Sequence, residues 1–131
     1  VGLALISPWT NLTNSGESHR TCAASDPILA YEPGLRIAAA AYAGDEPTHP
    51  DASPGLAHYS EDFPPCLIIC GSNEILLSDA LRLHETIGER GAELCVWPGL
   101  FHSFPTIAPQ APESQQALLR IRDFIDAKSG V

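Results

Sequence analysis

Two ionisable side chains stand where strand-like runs give way to short loops. Glu74 follows Cys70-Gly71-Ser72-Asn73 and leads into a helical stretch, and His102 lies in the loop from Pro98 to Pro105, just past Trp97. In open parallel sheets, function gathers at the carboxyl edge, where such loops leave the strands. Neighbouring parallel strands are about 5 Å apart, so loops from adjacent strands can bring a carboxylate and an imidazole together across a long sequence separation. A carboxylate that orients an imidazole fixes its tautomer and stabilises the imidazolium, while the imidazole takes a nucleophile's proton. Glu74 and His102 are therefore the candidate acid and base of a nucleophilic triad. The chain order nucleophile, acid, base then places the attacking serine and the oxyanion loop upstream. No GxSxG and no His-Gly-Gly occurs in the 131 residues. Ser72 and Ser103 are poor substitutes, because neither follows a strand on the strained turn that exposes a nucleophilic hydroxyl. Phe101 and Phe104 flank the histidine; such rings either line an acyl pocket or belong to the core, and Phe104 is the candidate substrate contact.

The elements that must position these residues can be read from the apolar pattern. Strand-length runs cover Leu3 to Ile6, Cys66 to Cys70 and Ala92 to Trp97. The last two are nearly continuous in hydrophobicity, as strands covered on both faces are, and helical sequence separates them, which makes a βαβ unit. That helix is expected from Ile75 to Arg90, with Leu76, Leu77, Ala80, Leu81, Leu83 and Ile87 as its apolar stripe and Gly91 as its stop. A final helix, Pro112 to Lys128, is expected to bury Ala117, Leu118, Ile121, Phe124 and Ile125. Most prolines gather between the first two strands, at Pro27, Pro33, Pro47, Pro50, Pro54, Pro64 and Pro65. Asp26-Pro27 resembles an N-cap and first-turn proline opening a short helix through Ala30, and Leu35 to Tyr42 has helical character. So long a connection exceeds what a crossover requires, so residues 14–60 are assigned to a cap or lid over the sheet edge.

Composition narrows the partners. The 7 basic against 16 acidic residues give a net charge of −9, which disfavours nucleic acid and anionic membrane surfaces. No run approaches the roughly 18 apolar residues of a membrane span, and VGLALISPWT lacks the basic start of a signal peptide. Cys22, Cys66, Cys70 and Cys95 form no CxxC pair and no dense framework, which fits reduced thiols and a cytoplasmic setting. Cys66 and Cys70 share a strand face and suit core packing; a metal would need more ligands nearby, so none is expected. His19, His49, His58 and His84 lack a comparable setting and are expected to be solvated or capping groups. Asp45, Glu46 and Asp51 suit a solvated surface. The absence of methionine and the opening at Val1 inside an apolar run mark the sequence as the downstream piece of something longer.

Taken together, these segments resemble the C-terminal half of an α/β-hydrolase of the hormone-sensitive-lipase-like (alpha/beta hydrolase fold-3) esterase family. The resemblance runs from Val1 to about Ile125. It rests on Ser7-Pro8-Trp9 with Asn11-Leu12-Thr13, Ser25-Asp26-Pro27-Ile28-Leu29, Ser53-Pro54, Pro64-Pro65 before Leu67-Ile68-Ile69, Gly71 to Glu74, Leu76-Leu77-Ser78-Asp79, and Trp97-x-Gly99-Leu100-x-His102. The order of these segments carries the assignment, since none is specific alone. The implied fold is a parallel-sheet α/β-hydrolase domain over residues 1–131, C-terminal portion only: three strands, flanking helices and part of a cap. The family register puts Glu74 on the acid position; many relatives carry aspartate in this turn, and Asn73 cannot serve. Asp79 is the alternative acid, expected beyond the sheet edge to face solvent or hydrogen-bond within the cap.

The resemblance implies a carboxylic ester hydrolase acting on small-molecule esters of short to medium acyl chains, with no metal or organic cofactor and with possible pairing into a homodimer. The piece alone is expected to be inert. Two competing readings follow: a ligand-binding receptor on the same scaffold, disfavoured because His102 is present, and a truncated remnant that would aggregate through exposed sheet edge. Amide substrates would use the same triad.

Overall fold

Every residue from Cys66 to Gly71 is withdrawn from solvent, and this run forms the middle strand of the molecule. In the computed structural model, which describes residues 1–88 and 91–129, β1 (Leu3–Ile6), β2 (Cys66–Gly71) and β3 (Ala92–Trp97) make one parallel sheet in that order. Leu3 pairs with Cys66 and Ile6 with Ile69, while Cys66 pairs with Ala92 and Gly71 with Trp97, so all three strands end along one edge.

The strand period of two sorts the core into two layers. Cys66, Ile68 and Cys70 face one way and meet Ala80 and Leu83 of α3 (Leu77–Ile87). Leu67 and Ile69 face the other way and meet Phe104 of α4 (Phe104–Ile107) and Ala117 and Phe124 of α5 (Pro112–Ser129). Helices thus cover both faces of β2, as an all-parallel sheet demands. β3 differs from expectation, since Glu93 and Val96 are exposed and only β2 is covered on both sides along its whole length.

The connection from β1 to β2 carries α1 (Ser18–Thr21), a wide turn at Tyr31–Leu35, α2 (Arg36–Ala43) and a 3-10 turn at Pro54–Leu56. Asp26 Oδ1 accepts hydrogen bonds from the amides of Ile28 (2.9 Å) and Leu29 (3.2 Å), but no helix follows. The N-cap chemistry closes a turn here, and the second carboxylate oxygen accepts the amide of Ile75 at 3.0 Å, tying that turn to the segment after β2.

One helix boundary and one helix face also depart from the sequence expectation. α3 ends at Ile87 rather than Arg90, which lies outside the described residues, and Gly88 rather than Gly91 follows it with φ +84°. In α5, Ser114, Ala117, Ile121 and Phe124 face the sheet, at helical spacings of three and four. Leu118 and Ile125 lie one residue further round and are exposed.

Candidate active site

The loops that follow β2 and β3 are bonded to each other before any catalytic group is considered. The amide of Ser72 donates to the carbonyl of Trp97 (2.9 Å), and that of Asn73 donates to the carbonyl of Leu100 (2.9 Å). In return, the amide of Gly99 donates to Ser72 Oγ at 2.8 Å. Gly99 has φ +74°, a conformation open to glycine at little cost. Gly71 is required for a different reason. A Cβ there would lie 2.1 Å from the Leu100 carbonyl oxygen and 2.9 Å from the Phe101 nitrogen, so any side chain would push the loops apart.

This lacing delivers Glu74 and His102 to one place. Glu74 is fully buried; its Oε1 lies 3.6 Å from His102 Nδ1, and the imidazole keeps 18% of its side-chain surface exposed. Both atoms are buried and neither has another hydrogen-bond partner. The separation is longer than a hydrogen bond and within ion-pair range. The other carboxylate oxygen is fully engaged: Glu74 Oε2 accepts from the amide of Gly71 at 2.7 Å and from Ser7 Oγ at 2.8 Å. With Nδ1 protonated toward Glu74, Nε2 is the basic nitrogen, and it meets Ser103 Oγ at 3.0 Å. The arrangement can hold an imidazole in one tautomer, take a proton on Nε2 and stabilise the resulting cation with a carboxylate that cannot turn away.

Asp79, the alternative acid, is elsewhere and is not solvated. It is 1% exposed, and its Oδ1 accepts the amides of Thr10 (3.0 Å) and Asn11 (2.7 Å). Its Oδ2 lies 2.7 Å from His19 Nε2. The expectation that His19 is a solvated or capping group is corrected at the same point, since its side chain is 3% exposed. Burial forces the pairing, because an isolated carboxylate in this interior would be costly. Ser18 reinforces the junction, accepting from the amide of Ser78 (2.8 Å) and donating to the carbonyl of Ile75 (2.6 Å).

Phe104, the candidate substrate contact, takes the core alternative. It is 1% exposed and packs with Leu67, Ile69, Ala117 and Phe124, while Phe101 is only half-buried. All four cysteines are free. Burial pushes the Cys66 thiol up to about 11, and burial with the neighbouring Glu74 charge pushes Cys70 up to about 12, so neither competes as a nucleophile near neutral pH. Among the described residues, no cluster of three or more His, Cys, Asp or Glu could hold a metal ion, and no helix is long and apolar enough to cross a membrane. Sequence reasoning missed Ser7. The only available signal was a serine directly after a strand at that same edge.

Comparison with known proteins gives a consistent picture. The family model described as alpha/beta hydrolase fold matches residues 1–106. An acetyl-hydrolase of Streptomyces hygroscopicus is 34% identical over 127 residues, covering 95% of this chain and 42% of that protein. An esterase of Acinetobacter venetianus is 33% identical over 127 residues, covering 94% of this chain and 41% of its own length. Among solved structures, a hormone-sensitive lipase from a metagenome library superposes with a TM-score of 0.88 at 32% identity, over 96% of this chain and 44% of that one. An esterase of the bacterial hormone-sensitive lipase family superposes at 0.84 with 37% identity, over 93% and 41%. The chain therefore spans about two-fifths of the length of the curated relatives it matches.

Proposed function

The chain belongs to the alpha/beta hydrolase fold family, and from that premise we propose that it supplies the acid and base of a carboxylic ester hydrolase. The nucleophilic serine and the oxyanion donors come from a segment preceding Val1. His102 Nε2 takes the proton from that serine as its oxygen attacks the ester carbonyl, and then passes it to the departing alcohol, leaving an acyl-enzyme. Water repeats the sequence on the acyl group, with His102 again as base and then acid. Glu74 stays ionised throughout and holds Nδ1.

The observation that carries this reading is the pair of otherwise unpartnered buried atoms, Glu74 Oε1 and His102 Nδ1, facing each other at 3.6 Å. Small-molecule esters are the substrate class, by likeness to relatives named as esterases and an acetyl-hydrolase. The free thiols suit a reducing, cytoplasmic setting.

In the complete protein, Glu74→Gln and His102→Ala are each expected to lower kcat by about 10³- to 10⁴-fold, with little change in thermal unfolding. Assayed on a p-nitrophenyl ester, unchanged turnover in Glu74→Gln together with a collapse in Asp79→Asn would reverse the acid assignment.

A further inference from the structure

The loops of the acid and the base meet at a third strand end, and the atom that joins them is a hydroxyl. Ser7 follows β1 directly, is 4% exposed, and has φ +46°, an uncommon conformation for a residue with a side chain. The bond from its amide to the carbonyl of Ile69 (2.7 Å) continues the β1–β2 ladder past the strand end. The turn aims Oγ inward. There it donates to Glu74 Oε2 at 2.8 Å and accepts from the amide of Ser103, next to His102, at 2.9 Å. Ser103 is itself left-handed, with φ +54°. Two residues at sterically disfavoured φ are therefore joined by one part-buried hydrogen bond, one of them bonded to Glu74 and the other next to His102 in the chain.

We infer that Ser7 is a positioning residue that sets the acid and the base at once, its single oxygen fixing the carboxylate rotamer of Glu74 and the backbone carrying His102. This inference rests on the Glu74–His102 reading above. An ordinary structural hydroxyl would satisfy one buried group. This one spans both halves of the couple. By occupying Oε2 together with the Gly71 amide, it leaves Oε1 as the oxygen free to face Nδ1. Without it, the carboxylate can rotate, the Ser103 amide loses its partner, and the imidazole drifts from its orienting charge.

The test uses Ser7→Ala and Ser7→Gly in the complete protein, with kcat, KM and the pH profile read on a p-nitrophenyl ester and folding read by thermal unfolding. Both variants should lower kcat by about 10- to 100-fold, as small misplacements of catalytic groups do, with KM within about twofold. The acid limb of kcat/KM should move to lower pH, since the imidazolium loses its held carboxylate. Added to Glu74→Gln, either substitution should lower turnover by less than it does alone, because the arm of Ser7 that holds the carboxylate is then already lost while the arm to the Ser103 amide remains.

Glycine accepts φ +46° without strain, so wild-type turnover in Ser7→Gly would mean that the backbone and not the hydroxyl matters, and would overturn the inference. Full multiplication of the Ser7 and Glu74 effects, a loss confined to the unfolding temperature, or failure of both variants to fold would overturn it equally. Full activity in Glu74→Gln would instead overturn the acid assignment beneath it. Impaired Glu74→Gln beside fully active Ser7 variants would remove this inference alone.

Discussion

At the scale of single residues, the site depends on a glycine as much as on its ionisable groups. Gly71→Ala would set a Cβ against the backbone of Leu100, 2.1 Å from its carbonyl oxygen, and backbone cannot swing aside as a flexible side chain can. The substitution should cost about 1–3 kcal/mol or more in urea unfolding. It should also lower turnover by about 10²-fold, since it shifts His102 relative to Glu74. The buried thiols give a prediction with a fixed sign. An unfolded thiol titrates near 9.0, whereas Cys66 and Cys70 hold their protons to about 11 and about 12 in the fold. Their contribution to stability is complete below pH 9.0 and is lost as pH rises from there toward about 12, because the unfolded chain releases protons that the folded one keeps. Urea midpoints measured at rising alkaline pH should fall, and the slope should be shallower in a Cys66→Ala/Cys70→Ala double variant.

At the scale of elements, Asp79 shows how a carboxylate in a suggestive position can be structural. It ties the turn after β1, through the amides of Thr10 and Asn11, to α3, and it anchors α1 through His19. Asp79→Ala strips partners from two buried amides and a buried imidazole, and should cost about 3–5 kcal/mol by urea denaturation, with activity lost only in proportion to unfolding. This is the reverse of the pattern expected for Glu74→Gln. The comparison also marks what was legible in the sequence. β2 could be recognised because an uninterrupted apolar run bounded by Pro65 and Ser72 has few other uses, and the nearness of Glu74 and His102 because each lies in the loop that leaves one of two neighbouring strands. For Asp79 the bond to a residue of 14–60 was anticipated but not its burial, and His19 was misjudged, since their partners lie some sixty or more residues away and no local pattern encodes such a contact. Asp26 was half legible: its bonds toward Ile28 and Leu29 were visible, but not that they close a turn rather than open a helix, nor the bond of the other oxygen to Ile75, 49 residues away. Ser7 was invisible as a site residue because a serine after a strand is ordinary, and only its positive φ and two partners set it apart.

At the scale of the whole molecule, β1 has a sheet neighbour on one side only among the described residues, and Leu3 on β1 and Leu118 and Ile125 on α5 are exposed. Residues 1–131 expressed alone should therefore elute from size-exclusion columns as associated species and show no ester hydrolysis, whereas the complete protein should elute as a defined species and turn over substrate. The grip of Asp26 separates two kinds of inheritance. One oxygen closes the turn at Ile28 and Leu29, and the other holds the amide adjoining the acid. On the proposed function, with residues 14–60 as a cap, sequence beyond Leu29 is where variation would alter which esters are admitted, while Glu74 and His102 keep their places. Exchanging residues 30–52 with those of a relative should change acyl-length preference yet leave turnover of a small generic ester within a few-fold.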